Sequence, residues 1–115
     1  MNTINILESS DFKTEIQAKR VLVDFYKDNC AGCTMQAKAL GVVEDTLKDL
    51  DITILKVKME DVGEDFFINL GLRQMPTIAL FLHGEEVIRV SGYHSPIAIS
   101  RLIDAHLYSN NSVIV

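Results

Sequence analysis

Cysteine occurs only twice in these 115 residues, proline twice, and tryptophan not at all. Two cysteines cannot form the several bridges that staple a small secreted scaffold. Nor do they make a structural zinc site within one chain, which needs four ligands at paired spacing. The three histidines, His83, His94 and His106, are scattered and give no such pairing. A metal or iron–sulfur cluster shared by two chains stays open at this point. Basic runs are absent too: Lys and Arg number 11 against 16 Asp and Glu, for a net charge of −5. That balance argues against nucleic acid or an acidic membrane surface as partner. No apolar run approaches the ~20 residues of a bilayer-spanning helix. Met1-Asn2-Thr3-Ile4-Asn5 has neither a basic start nor a long apolar stretch. The expectation is therefore a chain with no secretory signal, in the reducing cytosol.

What is present is an ordinary globular composition, 48% apolar and 23% charged. One domain with a single core fits this length. No internal repeat is visible. The domain is expected over residues 1–108 and a tail over 109–115, where Ser109-Asn110-Asn111-Ser112 breaks the pattern before the apolar Val113-Ile114-Val115.

The patterning predicts alternating elements. Thr3 to Ile6 reads as a first strand. Ser9 or Ser10 suits the N-cap of a helix running to about Ala18, with Phe12 and Ile16 inward and Lys19-Arg20 at its end. Val21 to Tyr26 is apolar on both faces, as a central strand should be. Thr34 to Leu50 has helical spacing, with Leu40, Val43, Leu47 and Leu50 as the inward stripe and Glu44, Asp45, Lys48 and Asp49 outward. Gly41 inside it predicts a bend or close packing. Ile52 to Val57 is a third strand. A turn at Glu60–Gly63 leads to a short helix burying Phe66, Phe67 and Leu70 and ended by Gly71. Ile78–Leu82 and Glu85–Val90 flank His83-Gly84 as a hairpin. Ser95-Pro96 opens the last helix, with Pro at its first position. Helix crossovers early and a hairpin late imply a mixed sheet of about five strands with four helices on its two faces.

Cys30-Ala31-Gly32-Cys33 stands between the apolar strand and the long helix. A helix start presents unpaired N–H groups and the positive end of the dipole, which stabilise a thiolate, the reactive form of the thiol. Cys33, one turn on, shares a face with Cys30 and is placed to close a disulfide with it. Asp24 is the anomaly in its strand, because a buried carboxylate is costly unless paired or protonated. It suits a carboxyl of raised pKa that accepts and returns a thiol proton. Lys56 and Lys58 lie one strand repeat apart, and either is placed to supply its counter-charge. His94, near Gly92, is a weaker candidate for a place beside the thiols.

With Met75-Pro76-Thr77 before the fourth strand and Ser91-Gly92-Tyr93 after the fifth, the chain resembles the thioredoxin family from about Thr3 to Leu107. The cysteine pair near a βαβ pattern is itself the signature of that family. The resemblance implies a thioredoxin fold and a thiol–disulfide oxidoreductase that reduces protein disulfides. It makes Cys30 the attacking thiolate and Cys33 the resolving thiol. Asp24 becomes the proton acceptor for Cys33, tuned by Lys56, and Pro76 a cis proline. It gives the partner-facing surface to Asn29, Ala31, Gly32, Met75, Pro76 and Gly92. The implied partners are disulfide-containing proteins and a thioredoxin-reductase-like or other dithiol reductant. No metal or cofactor beyond the Cys30–Cys33 disulfide is implied, and the expected state is a monomer. The chain departs from the family's usual pattern at Asn29 for tryptophan, Ala31-Gly32 for Gly-Pro, and Lys38 for a kinking proline. The loss of tryptophan removes a flat apolar docking surface. The rival reading is a redox-inactive thioredoxin-fold binding module or a metal-bridged dimer.

Overall fold

The computed structural model describes residues 1–108. Five strands, β1 (Asn2–Ile6), β2 (Arg20–Tyr26), β3 (Thr53–Lys58), β4 (Thr77–Leu82) and β5 (Glu85–Ser91), form one sheet in the order β1-β3-β2-β4-β5. The first three are mutually parallel; β4 runs antiparallel to both β2 and β5. The central place of β2 is what apolar residues on both its faces require, since both faces are covered. Val21, Val23 and Phe25 point to one core, which Phe12, Phe67 and Phe81 share. Leu22 points to the other, built with Leu40, Val43, Ile99 and Ile103. Strand alternation then sends Asp24 to the second face, with Leu22.

Among the described residues five α-helices flank the sheet, one more than expected: α1 (Ser9–Glu15), α2 (Ala31–Thr46), α3 (Met59–Val62), α4 (Glu64–Asn69) and α5 (Pro96–Ile103). A π-helical turn, Asp104–Tyr108, extends the last. The extra helix arises because Gly63 takes φ +98°, which no helix admits, and divides the expected turn and short helix into two. Other expectations shift as well. Glu8, not Ser9 or Ser10, precedes α1 and makes no side-chain cap. The helix stops at Glu15, because Gln17 and Ala18 bond three residues back, to Thr14 and Glu15, in a tightened turn. Arg20 does not end that helix. It opens β2, bonds the Leu107 carbonyl at 3.0 Å and lies 4.1 Å from the centre of the Tyr108 ring.

Helix α2 starts three residues earlier than its apolar stripe suggests, because Cys30 caps it, and ends at Thr46 rather than Leu50. Leu47 and Leu50 still pack on the second core from the turn that follows. Gly41 overturns its expectation of close packing: nothing lies within 4 Å of where a Cβ would stand. Gly41→Ala is accordingly expected to stabilise the chain by about 0.5–1 kcal/mol, by relieving the entropy cost of a mid-helix glycine. A rise in urea midpoint at unchanged slope is the measurement, and an unchanged or lower midpoint contradicts the open space.

The hairpin and the last helix form as their residues dictate. His83 (φ +51°) and Gly84 (φ +83°) make the two-residue turn, with both residues in the left-handed region that such turns need. Ser95 caps α5 by accepting the Ala98 N–H at 3.2 Å, with Pro96 at its first position. The expected tail at 109–115 lies outside the described residues.

Candidate active site

Cys30 is extended (φ −134°, ψ 104°) where β2 hands over to α2. Its Sγ takes the capping role of an oxygen, accepting the Cys33 N–H at 3.1 Å. Its carbonyl begins the helix by accepting the Thr34 N–H, also at 3.1 Å. The N–H on the sulfur is thus the one from Cys33. The two cysteines are joined in a disulfide with Cα atoms 5.2 Å apart. Cys33 is buried, whereas Cys30 is half-buried and open to a cleft of about 260 Å³. Tyr26, Asp28, Asn29 and Thr34 line that cleft with the cysteines. Asn29 is exposed, with φ +54°, a conformation asparagine tolerates better than most side chains.

Three further segments close on the disulfide. The Met75 carbonyl oxygen lies 3.8 Å from Cys30 Sγ, and the Met75–Pro76 peptide bond is cis. Gly32 passes so near the proline ring that a Cβ there would stand 3.2 Å from Pro76 Cδ. Gly92, with φ +84°, donates its N–H to the Pro76 carbonyl at 2.8 Å. Thus Cys30, Gly32, Cys33, Met75, Pro76 and Gly92 gather at one end of the sheet, beside the exposed Asn29 and Ala31.

Beneath them, parallel pairing sets Asp24 opposite Lys56. Lys56 Nζ stands 2.5 Å from Asp24 Oδ2. Lys58 takes no part in this pair and meets the exposed Asp28 at 3.3 Å instead. Asp28 and Lys58 hydrogen-bond at the surface, which holds the lysine more firmly protonated than usual. Asp24 is 1% exposed, and its Oδ1 has no hydrogen-bond partner. Burial pushes its carboxyl above the ordinary carboxylate range, and the Lys56 charge and hydrogen bond only partly offset that. The Lys56 ammonium also lies 5.3 Å from the Tyr26 ring centre.

The His94 ring Nδ1 lies 2.9 Å from the Gly92 carbonyl, and its backbone pairs with Gln36. Gln36 escaped the sequence reading. The available signal was a polar residue at i−3, i−4 and i−7 to Ala39, Leu40 and Val43, on the inward stripe of α2. Among the described residues, no group of three or more His, Cys, Asp or Glu is placed to hold a metal ion.

A strand–dithiol–helix unit with a carboxyl under it performs two-electron exchange between a dithiol and a disulfide. The chain is similar to known proteins. The profile of the family described as thioredoxin matches residues 3–105. A thioredoxin of Chlamydia caviae is 29% identical over 106 residues, spanning 90% of this chain and 98% of its own. That of Chlamydia muridarum is 30% identical over 103 residues, with the same coverage of each, 90% and 98%. Among solved structures, a mutant thioredoxin from Halobacterium salinarum superposes with a TM-score of 0.78 at 26% identity, covering 95% of this chain and 94% of that one. The chain belongs to the thioredoxin family, and it is a thiol–disulfide oxidoreductase whose redox centre is its own cysteine pair.

Proposed function

We propose that this chain reduces disulfides in partner proteins, with Cys30 attacking and Cys33 resolving. The observation that carries the assignment is the unequal burial of the two cysteines that line the cleft, Cys30 half-buried and Cys33 only 5% exposed. The Cys30 thiolate attacks one sulfur of the partner's disulfide, a mixed disulfide forms, and the first partner thiol leaves. Cys33 loses its proton and attacks Cys30 Sγ; the mixed bond breaks and the second partner thiol leaves. The two thiols of this chain supply both electrons and end as the disulfide. Asp24 takes the Cys33 proton, a role that suits a buried carboxyl with one unpartnered oxygen. Lys56 limits how far that carboxyl's affinity for protons rises.

The partner chain lies along Met75–Pro76 and Gly92, with Asn29, Ala31 and Gly32 completing the contact. Proline has no N–H of its own to pair with a neighbouring strand. A dithiol reductant of the thioredoxin-reductase kind returns the disulfide to dithiol. The reducing cytosol is the matching location: both cysteines serve the site and none is left as a structural staple. One chain supplies every residue of the site, so a monomer suffices. Insulin reduction by dithiothreitol tests the proposal. The native chain should accelerate precipitation of the insulin B chain and Cys30→Ser should not; equal rates from both would remove the reading.

A further inference from the structure

We propose that Gln36 is a positioning residue for the substrate groove, clamping the 91–94 loop to the active-site helix. The inference rests on the disulfide-reduction reading above, because the groove is the surface that reading gives to the partner. Gln36 lies three residues after Cys33 on α2 and is 0% exposed. A primary amide buried so completely is costly unless its polar atoms are bonded. Both are bonded, and to the same residue. The His94 N–H donates to Gln36 Oε1 at 2.8 Å, and Gln36 Nε2 donates to the His94 carbonyl at 2.9 Å. One donor and one acceptor from a single residue fix which way round the amide sits. Two bonds also hold His94 in orientation as well as in place, across 58 residues of chain.

The restraint passes from His94 to the groove. The His94 ring nitrogen Nδ1 holds the Gly92 carbonyl at 2.9 Å, and the Gly92 N–H holds the Pro76 carbonyl at 2.8 Å. The Met75 carbonyl completes the path at 3.8 Å from Cys30 Sγ. Helix α2, the proline loop and the glycine loop thus form a ring around the disulfide, in which Gln36 is the helix's own link to the glycine loop. That loop carries Gly92 and, between Gly92 and the clamped residue, Tyr93, which is 42% exposed. An apolar residue at position 36 would fill the same space and leave this edge of the groove free to shift. The clamp touches neither sulfur, so it acts on partner binding and leaves thiol chemistry alone.

Gln36→Leu deletes both bonds at similar volume. For a protein disulfide such as insulin, KM should rise by about tenfold, the order expected when a positioning contact is lost, with kcat within about twofold. The reduced variant should react with dithiodipyridine, a small disulfide that needs no groove, at the native rate. An unchanged insulin KM, or equal losses on both disulfides, overturns the proposal. The native chain gives a second measurement that does not depend on the variant folding. The His94 amide should exchange its hydrogen at least ~10²-fold more slowly than an open peptide, and exchange at the open-peptide rate equally overturns the clamp. Failure of the disulfide-reduction reading looks different: the native chain itself would then fail to turn over insulin.

Discussion

Cys33→Ser is expected to leave this chain covalently joined to its partner through Cys30. The attacking thiol remains in the cleft beside the Met75 carbonyl, so the first exchange proceeds. The second requires a nucleophile on the next turn of α2, and a serine hydroxyl is far harder to deprotonate and a far weaker nucleophile towards sulfur than a thiol. The mixed disulfide therefore accumulates, while turnover of insulin falls by roughly 10³-fold or more. Cys30→Ser should lose turnover to a similar extent with far less adduct, because Cys33, only 5% exposed, is the harder of the two for an incoming disulfide to reach. A non-reducing gel followed by mass spectrometry separates the cases, since the adduct is released by dithiothreitol. Adducts formed through Cys33 in the Cys30→Ser chain, and none in the other, would reverse the assignment of the two sulfurs.

Asp24→Asn should make the protein more stable and a slower catalyst. Asp24 is held almost without water, and burial raises its pKa in the folded chain above its value in the unfolded one. The folded state then binds the proton more tightly. The stability linked to this group is fully present below the unfolded value and is lost as pH rises through the folded one. Above that window the buried charge is a standing cost, only partly met by Lys56, whose side chain is 18% exposed and has water to fall back on. Asparagine avoids the charge and keeps an acceptor for Lys56. The gain should be about 1–3 kcal/mol at pH 8, the scale of an imperfectly compensated buried polar group, and should shrink towards zero near pH 3. Urea unfolding at a series of pH values measures it. A gain independent of pH would show that the raised pKa is not its source. In catalysis, loss of the proton acceptor should slow the Cys33 step on the order of 10²-fold near pH 7. The deficit should narrow as pH rises, because hydroxide then takes the proton unaided. Stopped-flow measurement of mixed-disulfide decay gives that rate directly. If Asp24→Asn resolves the adduct at the native rate, the proton has another acceptor.

Much of the molecule was legible in residues close together along the chain. Cys30 and Cys33 stand one turn apart between an apolar strand and a helix, and that placement, more than the spacing alone, points to two-electron sulfur chemistry. Ser95-Pro96 starts a helix, and His83-Gly84 turns a hairpin, because caps and tight turns are built from neighbours. The alternation of Val21, Leu22, Val23 and Asp24 already placed a carboxyl among apolar residues. What only the tertiary structure decided lies between distant residues. Spacing along the chain leaves two lysines for Asp24 and only the family resemblance favours Lys56; parallel register sets Lys56, 32 residues away, opposite it and leaves Lys58 to Asp28. The start of α2 moved back to Ala31 because the Cys30 sulfur caps it by accepting the Cys33 N–H. Gln36 gained its meaning only when packing brought His94 against it. Periodicity encodes which face a side chain takes, since that follows from local backbone geometry. Which group it meets there depends on how separate elements dock, and no spacing along the chain records that.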